Sequence, residues 1–128
     1  MTPLEEAKHR ALAEIDITAG TIRLKYITEV YGQEQVYIEK ANEALDYVID
    51  NCPIDLTFYP FIAAEVDATG MHPRDVANNI LQQRSEWIKH MVKIERVRLK
   101  GKSEIRKTSN IKDVNTIKQY YTEALNSL

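Results

Sequence analysis

The chain has little cysteine, glycine, proline or phenylalanine, and each scarcity excludes something. Cys52 is the single cysteine in 128 residues. That rules out an intramolecular disulfide framework and any metal site built from clustered cysteines. Glycine and proline number four each. Sheets joined by tight turns usually need more of both, because turns use glycine for positive φ and proline for a fixed φ. No apolar run approaches the roughly 20 residues a helix needs to cross a bilayer. The first residues lack the charged-then-apolar layout of a signal peptide, which predicts a product of the cytoplasm or of a particle assembled there. No Gly-rich phosphate loop, Gly-x-Ser-x-Gly elbow or calcium loop is found. The three histidines, His9, His72 and His90, have no helical His pair among them, so the usual start of a zinc site is missing.

What is present suits a helical domain. Hydrophobic residues make up 44% of the chain, enough for a core. Tyrosines number seven, against one Trp and two Phe. A tyrosine has an apolar ring and a wet tip, which fits half-buried positions and subunit contacts. No segment of four or more residues alternates cleanly between apolar and polar, so no sheet is predicted.

Helix signals recur along the chain. Thr2 and Glu5 have capping-box spacing, with Pro3 at the first helical position. Leu4, Ala11, Ile15, Ile22 and Tyr26 then share one stripe. Gly20 interrupts this helix at a cost of about 1 kcal/mol relative to alanine. It reads as tolerated strain, or alternatively as a close helix crossing. A second helix runs from about Gly32 to Asp50 on Val36, Tyr37, Lys40, Ala41, Ala44, Tyr47 and Val48. Asn51-Cys52-Pro53 ends it, since proline disfavours helical geometry in the residue before it. The apolar loop Ile54–Phe58 is expected to pack down onto the helices. A short helix over Tyr59–Thr69 ends at Gly70 as a left-handed cap.

The longest pattern starts at Pro73 and reaches about Lys107 through Val76, Ile80, Trp87, Met91, Ile94, Gly101 and Ile105. Its second half carries a seam so narrow that it must pack on the next helix or on copies of itself. Asn110 is a fitting N-cap for a last helix carrying Ile111, Val114, Ile117, Tyr121, Ala124 and Leu125. The predicted fold is all-α: a four- to five-helix bundle with one long helix over about 73–107 and a helical hairpin at 3–50, in a single domain of residues 1–128.

Charge is segregated behind a net of −2. From Glu29 to Asp75, ten carboxylates face Lys40 and Arg74, a net of −8. From Lys89 to Lys107, eight cations face Glu95 and Glu104, a net of +6. Complementarity within or between chains is the preferred reading, in which charge sets partner choice and orientation. A merely solvated basic helix is the second. Nucleic-acid binding is the third and the weakest. The pI near 5.9 is far from the basic footprint of such domains, the cations circle the helix, and no aromatics interleave them.

Candidate chemistry meets a plainer reading each time. Cys52 lies among acidic residues, which disfavours the thiolate a nucleophile needs, so a structural role is expected. Glu43, Asp46 and Asp50 imitate a carboxylate cluster but lack the Glu-x-x-His pairs of di-metal bundles. His90 and Glu86 stand four apart on a helix and read as a surface pair. Trp87 with Met91 and Ile94 reads as core, with a partner-facing patch as the alternative. No catalytic, cofactor-binding or metal residue is assigned, and no enzyme is expected.

The stretch Tyr26–Ala44 is the most specific local pattern. Ala19-Gly20-x-Ile22-Arg23-x-x-Tyr26-Ile27-Thr28 leads to Gly32-Gln33, then Tyr37-x-x-Lys40-x-x-Glu43-Ala44. Tyr59-Pro-Phe-Ile-Ala-Ala-Glu-Val-Asp-Ala-Thr-Gly70 follows, then Val76-Ala77, Ile80-Leu81, Trp87-Ile88 and Ile94-Glu95-x-Val97-Arg98-x-x-Gly101-Lys102. In this order, over most of residues 15–105, the chain resembles small helical proteins or domains of tailed bacteriophages, often encoded near tail-fibre and virion-structure genes. It departs from them at Glu29-Val30-Tyr31, where a Pro-Gly-like turn is common, and in a lysine- and arginine-rich second half where many are alanine-rich. The resemblance implies a non-enzymatic virion or tail-fibre structural protein, made in the host cytoplasm and located in the virion. It implies virion or tail-fibre partners, and that setting suggests a homo-oligomer, a trimer if joined to a fibre; the residues themselves predict no cofactor and no membrane. A tail-fibre assembly chaperone absent from the mature virion and a small nucleic-acid-binding regulator are the alternatives. The expected contact residues are Tyr26, Tyr31, Tyr37, Trp87, Arg96 and Arg98.

Overall fold

A computed structural model describes residues 1–26 and 34–128. These residues form five α-helices and no strand: α1 (Pro3–Tyr26), α2 (Glu34–Ile49), α3 (Pro60–Thr69), α4 (Pro73–Lys107) and α5 (Ile111–Asn126). The protein is all-α, as its apolar spacing predicts. Tyr31, the Gly32-Gln33 turn and the bend of the expected 3–50 hairpin lie outside the described residues.

Local chemistry sets the helix ends. The Thr2 hydroxyl accepts from the Glu5 backbone N–H, and the Glu5 carboxylate accepts from the Thr2 N–H, both at 3.1 Å. This reciprocal pair is the capping box read from the sequence. The Asn110 side chain accepts from the Asp113 N–H at 2.9 Å and opens α5. Gly70 closes α3 at φ 72°, its N–H bonded to the Val66 carbonyl at 2.9 Å. Asn51 and Cys52 end α2 with φ of 65° and 52°. Both lie in the left-handed region that favours glycine. The Cys52 N–H there bonds the Tyr47 carbonyl at 2.9 Å.

The chain divides into two compact units. The terminal unit comprises Met1–Tyr26 and Lys89–Leu128; the central unit comprises Ile27–Ile88. Helix α4 gives its first half to the central unit and its second half to the terminal one.

In the terminal unit, Ala11, Ile15 and Ala19 of α1 meet Ile94 and Ile105 of α4 and Val114, Tyr121 and Leu125 of α5. Burying Ile15, Ile105 and Leu125 stabilises the unit by about 1.5–3 kcal/mol per side chain. The seam of α4 therefore packs on α5, as its narrowness requires, and on α1 as well. Gly101 makes the α4–α5 approach possible: a Cβ there would meet Tyr121 Cγ at 2.9 Å and Cβ at 3.0 Å. At Gly20, nothing lies within 4 Å of such a Cβ. The close crossing considered for Gly20 is found at Gly101 instead.

In the central unit, Ala41, Ala44 and Tyr47 of α2 pack with Tyr59, with Ile62 of α3 and with Val76, Ala77 and Ile80 of α4. Val36 and Val48, expected on the α2 stripe, lie exposed at its edges. The loop before α3 also departs from expectation. Leu56 packs inward, but Ile54 is 99% exposed and Phe58 84%. A turn explains the reversal: the Asp55 carboxylate accepts from the Thr57 N–H at 3.0 Å and the Thr57 hydroxyl at 2.5 Å. Side chains on either side of Leu56 are thus thrown outward.

Candidate functional site

The carboxylates on α2 and at its end look like a chemical cluster in the sequence, and the structure gives Glu43 and Asp50 structural work. Helix α3 starts at Pro60 behind Tyr59, which offers no side-chain cap. Its free N–H groups are met from α2: Glu43 accepts from Phe61 N–H at 3.1 Å and Ile62 N–H at 2.7 Å. A carboxylate there also complements the positive end of the helix dipole. The Asp50 carboxylate accepts a hydrogen bond from the Tyr59 hydroxyl. That hydrogen bond is the main reason the Tyr59 phenol is pushed up to about 12. Glu39, Asn42 and Asp46 share a shallow acidic depression with these groups, edged by exposed Phe58. Lys40 forms an ion pair with Glu65 of α3.

In the terminal unit, the basic half of α4 is stitched to α1. Arg98 and Lys102 each reach an Asp16 oxygen at 2.8 Å. Arg98 also holds Glu95, and Arg23 of α1 lies 3.5 Å from Glu95. The Lys8 ammonium donates to the Arg106 carbonyl at 3.0 Å. Partners on α4 run backward as α1 runs forward, so the two helices are antiparallel. Burial raises the Asp16 carboxyl, and hydrogen bonds from Lys102 and Arg98 overcome it, leaving its pKa below the ordinary value. Hydrogen bonds to Glu95 and Asp16 hold the Arg98 guanidinium above its own. Lys118 of α5 pairs with Glu14 of α1 at 3.0 Å. Burial, then a hydrogen bond to Glu104, pushes the Tyr121 hydroxyl up to about 12.

The expected contact residues fall into separate groups. Tyr37 is buried in the central unit, its ring 5.6 Å from that of Trp87. Trp87 is half-buried, and its indole N–H meets no acceptor among the described residues. Tyr26 is half-buried in the terminal unit with its ring 4.4 Å from His90. Arg98 belongs to the Asp16 network, and Arg96 is exposed. Tyr31 lies outside the described residues. The core spacing does not include four exposed apolar side chains, Ile17 and Leu24 on α1 and Val92 and Leu99 on α4; Ile54 and Phe58, expected inward, are exposed as well. Ile17 with Leu24, and Val92 with Leu99, each stand seven apart. That spacing was the available signal, but it lay off the stripes assigned to the core.

Among the described residues, no three His, Cys, Asp or Glu side chains are grouped as a metal ion needs, and no helix is long and apolar enough to cross a membrane. Comparison with known protein families, with curated proteins and with solved structures finds no match.

Proposed function

We propose that this chain is a non-enzymatic structural protein of a tailed-bacteriophage virion, a tail or tail-fibre-associated adaptor that works by helix packing and oligomeric assembly. The setting comes from the order of sequence segments between residues 15 and 105. The observation that carries the mode of action is the outward display of large apolar side chains from helices whose cores are already filled. Ile17 and Leu24 stand on a helix fixed from behind by buried Ala11, Ile15 and Ala19. A contiguous exposed apolar patch, unlike a lone surface side chain, marks protein–protein contact. The basic half of α4 has Arg98 and Lys102 neutralised by Asp16 and Glu95, which favours protein contact over phosphate contact.

Mass spectrometry of purified particles tests the setting. Recovery of the chain with the particle supports the adaptor. Presence in the lysate with absence from the particle replaces it with an assembly chaperone. A mobility shift that weakens steeply with salt favours the nucleic-acid regulator.

A further inference from the structure

The outer face of α1 carries a second stripe, apart from the one that meets the core. Ala13, Ile17, Gly20 and Leu24 follow one another at steps of four, three and four, the spacing of a coiled-coil seam. At 100° per residue this stripe lies opposite the core stripe of Ala11, Ile15 and Ala19. Ile17 is 68% exposed and Leu24 66%. Ala13 is exposed too, and Gly20 has open space where a Cβ would stand. Nothing in the protein's own packing calls for a glycine at that position, yet glycine costs the helix about 1 kcal/mol relative to alanine.

The seam alternates small and large, and that order selects a partner. Turn a second copy of α1 antiparallel, with the twofold between Thr18 and Ala19. Ile17 then meets Gly20 of the other copy, and Leu24 meets Ala13. Every layer holds one large and one small side chain, so knobs meet holes along the whole stripe. A parallel alignment would stack Ile17 on Ile17 and leave Gly20 facing Gly20 across a gap.

The edges agree with the antiparallel register. Asp16 and Arg23 border one side of the stripe, and Glu14 and Lys25 the other. Reversal sets Asp16 beside the second copy's Arg23, and Glu14 beside its Lys25. Opposite charges therefore meet on both edges. Asp16, Arg23 and Glu14 keep 44%, 39% and 54% of their side-chain surface exposed, so their internal ion pairs leave room for these contacts.

We propose that α1 is the interface of a twofold antiparallel homodimer, with Gly20 kept open to receive Ile17 of the second copy. A twofold interface is self-complementary by construction, and this stripe has that property. The inference does not rest on the phage setting.

Sedimentation velocity across a wide concentration range tests it. The wild-type mass rises from 14.8 kDa toward twice that value. Ile17→Glu and Gly20→Leu each weaken the dimer at least tenfold. Gly20→Leu does so without lowering the Tm of the dilute protein, since its space is open in the monomer. A spin label at Glu6→Cys, on a Cys52→Ser background, checks direction. The antiparallel pair separates the labels by about 38 Å along the axis at 1.5 Å rise per residue. A parallel pair brings them within about 15 Å, given interaxial spacings of 8–10 Å. A monomer at every concentration, a trimer, a short label distance, or a dimer indifferent to both substitutions overturns the proposal and leaves the virion reading standing.

Discussion

Glu43 of α2 caps a helix that begins 17 residues later: its carboxylate accepts from the Ile62 N–H at 2.7 Å. Helix α3 lacks a cap of its own because Tyr59 at the N-cap position has no suitable side chain. A tertiary contact replaces a local one, and it ties the start of α3 to α2 in the central unit. Removing it exposes two backbone donors in a half-buried place. Glu43→Ala is expected to destabilise the protein by about 1–2 kcal/mol, the range for losing a cap. Amide exchange at Phe61 and Ile62 should accelerate more than exchange at the end of α3. Equal protection of both amides in the variant would show that Glu43 is not the cap.

The two glycines inside long helices should respond to the same substitution in opposite directions. In the dilute monomer, Gly20→Ala places a methyl group in open space and recovers helix propensity, so stability should rise by about 0.5–1 kcal/mol. Gly101→Ala drives a methyl group into the buried Tyr121 side chain, with Cγ at 2.9 Å and Cβ at 3.0 Å. Overpacking of this kind costs about 1–3 kcal/mol, which outweighs the propensity gain. Urea unfolding of both variants measures the contrast. Two shifts of the same sign would contradict the packing of α4 on α5.

Acid should loosen the terminal unit through Asp16. Folding lowers its pKa below the reference value of 3.8. Its contribution is complete above the unfolded value and fades as the pH falls through the folded one. The pair is half-exposed, so solvent screening limits the effect to about 1 kcal/mol or less. Asp16→Asn should lower stability at pH 7, and the gap from wild type should close as the pH falls through the depressed folded-state pKa, where both side chains become neutral. A gap that persists at low pH would place the effect elsewhere.

The sequence carried most of the fold because its helix ends are local. The Thr2–Glu5 box, Gly70, Pro73 and Asn110 each act within a few residues, so spacing alone reveals them. Long-range relationships were hidden. Nothing near Glu43 shows that it will cap α3, and nothing near Asp16 shows that it will meet Arg98 and Lys102, 82 and 86 residues away. The open surroundings of Gly20 fit its first reading as tolerated strain, and the tight crossing that was its alternative lies at Gly101, because a glycine in a helix reveals a gap but not its occupant. Ile54 and Phe58 were expected inward on composition, and the Asp55–Thr57 turn points them outward. Of the contact candidates, Tyr37 proves buried and Arg98 internally paired, whereas the exposed apolar seam of α1 went unread. Periodicity finds the face that meets the core, and a second face on the same helix is masked by the first.

Cross-linking mass spectrometry on intact purified particles tests the central claim most directly. Lys93 and Lys100 are exposed on the basic half of α4 and available to a lysine-reactive reagent. The adaptor account predicts cross-links from this chain to a second tail or tail-fibre protein, together with links between copies. Particles that lack the chain, or that hold it with no link to any other virion protein, would contradict the account.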